Sequence, residues 1–71
     1  MRVTVYMIGN GPDLPVGTAV DIVTLLSLIE LASLKERTGV SLHGQMPDGQ
    51  VVSGEMSLRA ANELAMSQPV A

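Results

Sequence analysis

The sequence predicts a small α+β domain of β-α-β-β-α order, a three-stranded sheet packed by one long and one short helix. Three observations predict it. Residues 2–8 (RVTVYMI) are rich in β-branched side chains. The segment from Thr18 to Gly39 reads as one capped helix that is apolar on more than one side. Val40 to Met56 alternates in polarity around a proline-led turn. The 71 residues make one domain, spanning 1–71. A chain this short buries only about 60% of the surface its unfolded form exposes.

In the first strand, Val3, Val5 and Met7 alternate with Thr4, Tyr6 and Ile8. Both sets are largely apolar, so the expected strand is an inner one, covered on both faces. Gly9 to Gly17 (GNGPDLPVG) carries three glycines and two prolines and is expected to be an ordered crossover loop. The long helix is expected to start at Thr18 as N-cap, with Asp21 three residues on. Lys35 and Arg37 suit its last turn. Gly39 suits a left-handed C′ position, with Val40 folding back onto Leu34.

In the hairpin, Val40, Leu42 and Met46 share one face and Ser41, His43 and Gln45 the other. Met46-Pro47-Asp48-Gly49 is a type I turn signature. The return strand is Gln50 to Met56, with Gly44 and Gly54 placed for a bulge or a close backbone approach. Ser57 is expected to cap a short second helix. Its apolar face is Leu58, Ala61, Leu64 and Ala65, with Arg59, Asn62 and Glu63 opposite. Met66 falls off that apolar face. Gln68 to Ala71, holding Pro69, is expected to fray.

Composition removes several function classes. There is no Cys, so neither a disulfide nor a thiolate metal site is available. Phe and Trp are absent and Tyr6 is the single aromatic residue, so Leu, Ile, Val, Met and Ala must fill the core. Small domains of this kind lean on a partner or on self-association. The net charge is −3, and the four basic residues Arg2, Lys35, Arg37 and Arg59 are dispersed. No phosphate-neutralising stripe can be assembled from them, which argues against nucleic acid and anionic membranes. Asp21 and Glu30 interrupt the longest apolar segment, and the Met1 region lacks a signal-peptide pattern, so a cytoplasmic protein is expected.

The long helix carries the functional signal. At about 100° per residue, Ile22, Leu25, Leu26, Ile29 and Ala32 form a docking stripe. Val23, Leu28, Leu31 and Leu34 lie roughly opposite. If the second helix covered them the protein would be a closed monomer. That helix is short and Ala-rich and must also cover sheet. The second stripe is therefore assigned to another chain, a foreign protein partner or a second copy in a homodimer.

The search for chemistry returns little. His43 is the only His, with no second imidazole or thiolate for a metal site and no acid or nucleophile set by spacing. The Gly9-Asn10-Gly11-Pro12 loop lacks the phosphate-loop pattern, and Pro12 removes an amide donor. No cofactor is expected. The expectation is a non-enzymatic, acidic interaction module that binds and occludes a partner, as an inhibitor or adaptor does; small proteins of this kind are carried by phages and other mobile elements. Its expected interface residues are Val23, Leu28, Leu31 and Leu34 on the helix, with His43, Gln45 and Gly54 on the hairpin. Two other classes compete: a structural homo-oligomer built through the long helix, and a small-molecule sensor or minor enzyme with a site near His43, Gly44 and Gly54.

Overall fold

The computed structural model describes residues 1–69. The elements run β1 (Arg2–Ile8), β2 (Leu14–Ala19), α1 (Ile22–Leu34), β3 (Gly39–Gln45), β4 (Val51–Ser57) and α2 (Leu58–Met66). The fold class is α+β, but the sheet has four strands rather than three, in the order β2-β1-β3-β4. Every neighbouring pair is antiparallel.

The additional strand is Leu14–Ala19, which falls mostly within the segment expected to be loop. Its glycine and proline oppose strand formation locally. Pairing with β1 supplies the backbone partners that local preference does not. The pairing is imperfect: its register shifts opposite Val5 and Tyr6, and Pro15 sits on the sheet's outer edge, where a missing N–H is tolerated.

β2 takes up Thr18, whose Oγ1 lies 3.3 Å from Thr4 Oγ1 across the strands. Helix α1 therefore starts later than expected, and Asp21 rather than Thr18 is its N-cap. The Asp21 carboxylate accepts the Thr24 amide at 2.7 Å. At the other end, Lys35 is the C-cap and Glu36 takes the left-handed conformation, with φ of 60°. The Arg37 amide then closes on the Ala32 carbonyl at 3.1 Å. Gly39, expected at that left-handed position, instead opens β3. The helices are 13 and 9 residues long, so the contrast between them is smaller than expected.

Both helices pack on one face of the sheet. Val3, Val5 and Met7 of β1, Val40 and Leu42 of β3, and Val52 of β4 point into that layer. They meet Leu25, Ile29 and Ala32 of α1 and Ala61 and Ala65 of α2. β1 is an inner strand, as its composition implies, but it is covered on one face only. Arg2 and Tyr6 look into solvent on the other.

The hairpin turn forms where expected. The Gly49 amide donates to the Met46 carbonyl at 2.9 Å, and the Asp48 carboxylate accepts the Gln50 amide at 2.8 Å. Ser57 caps α2 by accepting the Ala60 amide at 3.1 Å. Gln68, expected to fray, is buried, and its Nε2 donates to the Leu64 carbonyl at 3.3 Å. Residues 70 and 71 of that tail lie outside the described residues.

The Asp21 cap gives α1 a pH dependence. The Thr24 amide holds the carboxyl below its ordinary range. A carboxyl whose folded value is depressed stabilises the fold fully above its unfolded value, and that contribution drains as pH falls through the folded one. Acid titration is expected to reduce stability below the usual aspartate range, and Asp21→Asn is expected to flatten that part of the curve. Urea midpoints measured against pH for the two proteins check it. Parallel curves would remove Asp21 from the account.

Candidate functional site

The side of α1 turned away from the core leaves large apolar side chains exposed. The buried line runs through Leu25, Ile29 and Ala32. Half a turn round the helix, about 180° away at 100° per residue, lie Val23, Ser27 and Leu34, flanked by Leu31 on one side and by Glu30 on the other. Val23 is 76% exposed, Leu34 72% and Leu31 39%. Leu28, assigned to the same stripe by sequence, turns toward β2 and is half-buried, close to Gly17. α2 does not cover this line. It lies on the other flank of α1, where Leu58, Arg59 and Asn62 border a cleft with Leu26, Ile29, Glu30 and Ser33.

The stripe runs on past the start of α1. Val20 and Met66 are 63% and 72% exposed. They border a groove of about 570 Å³ between the N-terminus of α1 and the C-terminus of α2. Met1, Ile22, Ala65 and Pro69 supply more of its apolar wall, and Asp21 contributes an acidic side chain to its lining. Sequence reasoning missed this groove. It placed Met66 off the apolar face of α2 but had no means of bringing it beside Val20 and Val23.

The hairpin residues lie on the opposite side of the molecule, on the open face of the sheet. Ser41 Oγ and His43 Nε2 share a hydrogen bond of 2.7 Å along β3. The Tyr6 ring stands edge-on to the His43 ring, with centroids 5.9 Å apart and planes at 82°. In register, Ser41 is flanked by Tyr6 on β1 and Glu55 on β4. Gln45 Nε2 donates back to the Gly49 carbonyl at 3.2 Å. Among the described residues, no other side chain hydrogen-bonds the His43 ring. Gly54 belongs to the other side. It stands in register with buried Leu42, in the row that faces the helices. The structure therefore does not gather the seven sequence-assigned residues into one site. Val23, Leu31 and Leu34 form one surface, and His43 and Gln45 lie on the reverse.

A third cluster pins two loops. Arg37 Nη1 donates to the Gly9 carbonyl at 3.2 Å and the Pro12 carbonyl at 2.6 Å, and Asn10 Nδ2 donates to the Glu36 carbonyl at 2.9 Å. These bonds engage the Gly9 and Pro12 carbonyls and the Asn10 side-chain amide of the one part of the chain with a superficial likeness to a phosphate loop. Among the described residues, no three His, Asp or Glu side chains group to hold a metal ion, and no helix is long and apolar enough to cross a membrane. Comparison with known protein families, curated proteins and solved structures gives no match to this chain.

Proposed function

We propose that this protein is a non-enzymatic interaction module that binds and occludes another protein through the outer face of α1. One observation carries the reading: the line of α1 opposite its buried side exposes Val23, Leu31 and Leu34, with Glu30 as the charge beside them, and continues through Val20 and Met66 into an apolar groove. Exposed contiguous apolar surface on so small a chain is an aggregation liability unless it is used. The expected partner presents an apolar helix or loop. One of its side chains fills the groove, and a basic flank meets Asp21 and Glu30.

Charge favours a foreign protein over a second copy on this face. An antiparallel pair of α1 helices centred on the stripe sets Glu30 beside its own copy across the two-fold axis, and like charges so placed repel. The inhibitor or adaptor role rests on the same surface. It needs no chemistry from the Ser41–His43 pair.

The test uses Val23→Glu and Leu34→Glu together. Both side chains are mostly solvated, so the fold is expected to survive with an unchanged circular dichroism spectrum. A partner captured with the wild-type protein from its native host is then purified and its affinity measured. The double variant is expected to bind at least about a hundredfold more weakly, since it removes two apolar anchors and buries two charges. Equal affinity in a folded double variant refutes the assignment. Loss of self-association instead, with no change toward the captured protein, transfers the face to a homo-oligomer.

A further inference from the structure

Among the described residues the sheet has two unpaired edges, β2 and β4, and they are built differently. β2 carries Pro15 and a register shift, two devices that keep further strands away. β4 pairs with β3 over seven residues without a break and contains no Pro, Lys or Arg. Its start, Val51, is exposed and apolar. Glu55 is the one charged side chain on this edge, which is otherwise a template for another strand.

The hairpin turn decides which backbone groups are free. The Met46 amide donates to the Gln50 carbonyl at 2.8 Å, which makes Met46 and Gln50 a hydrogen-bonded pair. Antiparallel pairs alternate between bonded and non-bonded. Stepping along the register, Val52, Gly54 and Met56 bond to Gly44, Leu42 and Val40. The N–H and C=O groups of Val51, Ser53, Glu55 and Ser57 consequently point away from β3, off the sheet.

We propose that this edge binds a second copy of the chain, β4 against β4 in antiparallel fashion, with the two-fold axis at Gly54. The side chains of β4 select both the occupant and the register. Outward groups face outward groups when the axis falls on Ser53, Gly54 or Glu55. With the axis on Glu55, two carboxylates oppose each other directly. With the axis on Ser53, each Glu55 opposes an apolar Val51, and Ser57 is left over.

With the axis on Gly54, all of the outward residues are used. Each Ser53 hydroxyl stands opposite a Glu55 carboxylate, and each Val51 opposite a Ser57. On the helix side Val52 meets Met56, extending the apolar layer across the axis. The two Gly54 residues meet at the axis in a non-bonded pair, the type with the closer Cα approach, about 4.5 Å. There a side chain would intrude; within one chain, a Cβ at Gly54 has nothing within 4 Å. The product is one continuous eight-stranded sheet, and it leaves the outer α1 face of each copy free. It is independent of the partner-binding reading.

Sedimentation equilibrium and amide hydrogen exchange test the proposal. The wild-type chain is expected to dimerise, and the amides of Val51, Ser53 and Glu55 are expected to gain protection as concentration rises. Ser53→Glu sets a carboxylate against Glu55 twice across the axis and is expected to weaken the dimer about tenfold or more. Adding Glu55→Lys to Ser53→Glu converts both contacts to opposite-charge pairs and is expected to restore it. Leu34→Glu is expected to leave the dimer unchanged.

A monomer at about 1 mM, or fast exchange of those three amides at every concentration, overturns the proposal without relying on any variant. So does a dimer that is insensitive to Ser53→Glu, that is not rescued by Glu55→Lys, or that is dissolved by Leu34→Glu.

Discussion

Gly44→Val is expected to unfold the protein. Gly44 sits in β3 opposite Val3 and Val52, with φ of 147°, where side chains are strained. A Cβ there would fall on the Arg2 carbonyl oxygen and lie 2.9 Å from Val3 Cα. Those are backbone atoms of an inner strand, so neither can move without breaking the β1–β3 pairing. A loss of more than about 3 kcal/mol is expected, against a total of about 4–10 kcal/mol for a chain of this size. Gly54→Ala is the control. It lies on an edge strand with open space at the Cβ position, where φ can relax toward ordinary strand values, and a loss under about 1 kcal/mol is expected. Urea unfolding followed by circular dichroism reads both. A folded Gly44→Val protein with near wild-type stability contradicts the close approach.

Leu42→Ala has the next largest expected effect, about 4 kcal/mol. Leu42 is fully buried at the centre of the sheet, beside Val5 on β1 and Gly54 on β4. The cost of such a truncation depends on how far the surroundings collapse into the space. Here one neighbour is a glycine with no side chain to offer, and no core aromatic ring is present to swing inward. The value therefore belongs near the upper end of the usual range. The surface substitution Leu34→Glu is expected to leave stability within about 0.5 kcal/mol. A Leu42→Ala protein as stable as that surface variant shows that the site repacks.

Local chemistry made several elements legible in the sequence. The alternation of Val3, Val5 and Met7 marks β1. The Pro47-Asp48-Gly49 run marks the hairpin turn, and the Ser57 hydroxyl marks the start of α2. Each depends on residues within a few positions of one another, so no knowledge of the fold was needed. The apolar stripe on α1 was legible in part: helical periodicity sets Val23, Leu31 and Leu34 opposite Leu25, Ile29 and Ala32, but it also placed Leu28 there, and Leu28 turns toward β2 and is half-buried.

Tertiary pairing decided the rest. Leu14–Ala19 is a strand only because β1 offers it an edge, and its own glycine and proline argue otherwise. Once β2 takes Thr18 and Ala19, the helix must begin at the next residue able to cap it, Asp21. The apolar groove brings together Val20, Met66 and Pro69 from distant parts of the chain. The contrast between Gly44, pressed against a neighbouring backbone, and Gly54, open at an edge, depends on strand order. The sequence by itself determined where the hairpin turns, where α2 is capped and which side of α2 is apolar, because those are nearest-neighbour properties. Only the tertiary structure decided the fourth strand, the uncovered sheet face and the free edge at β4, because each depends on which distant segment supplies the missing backbone partners.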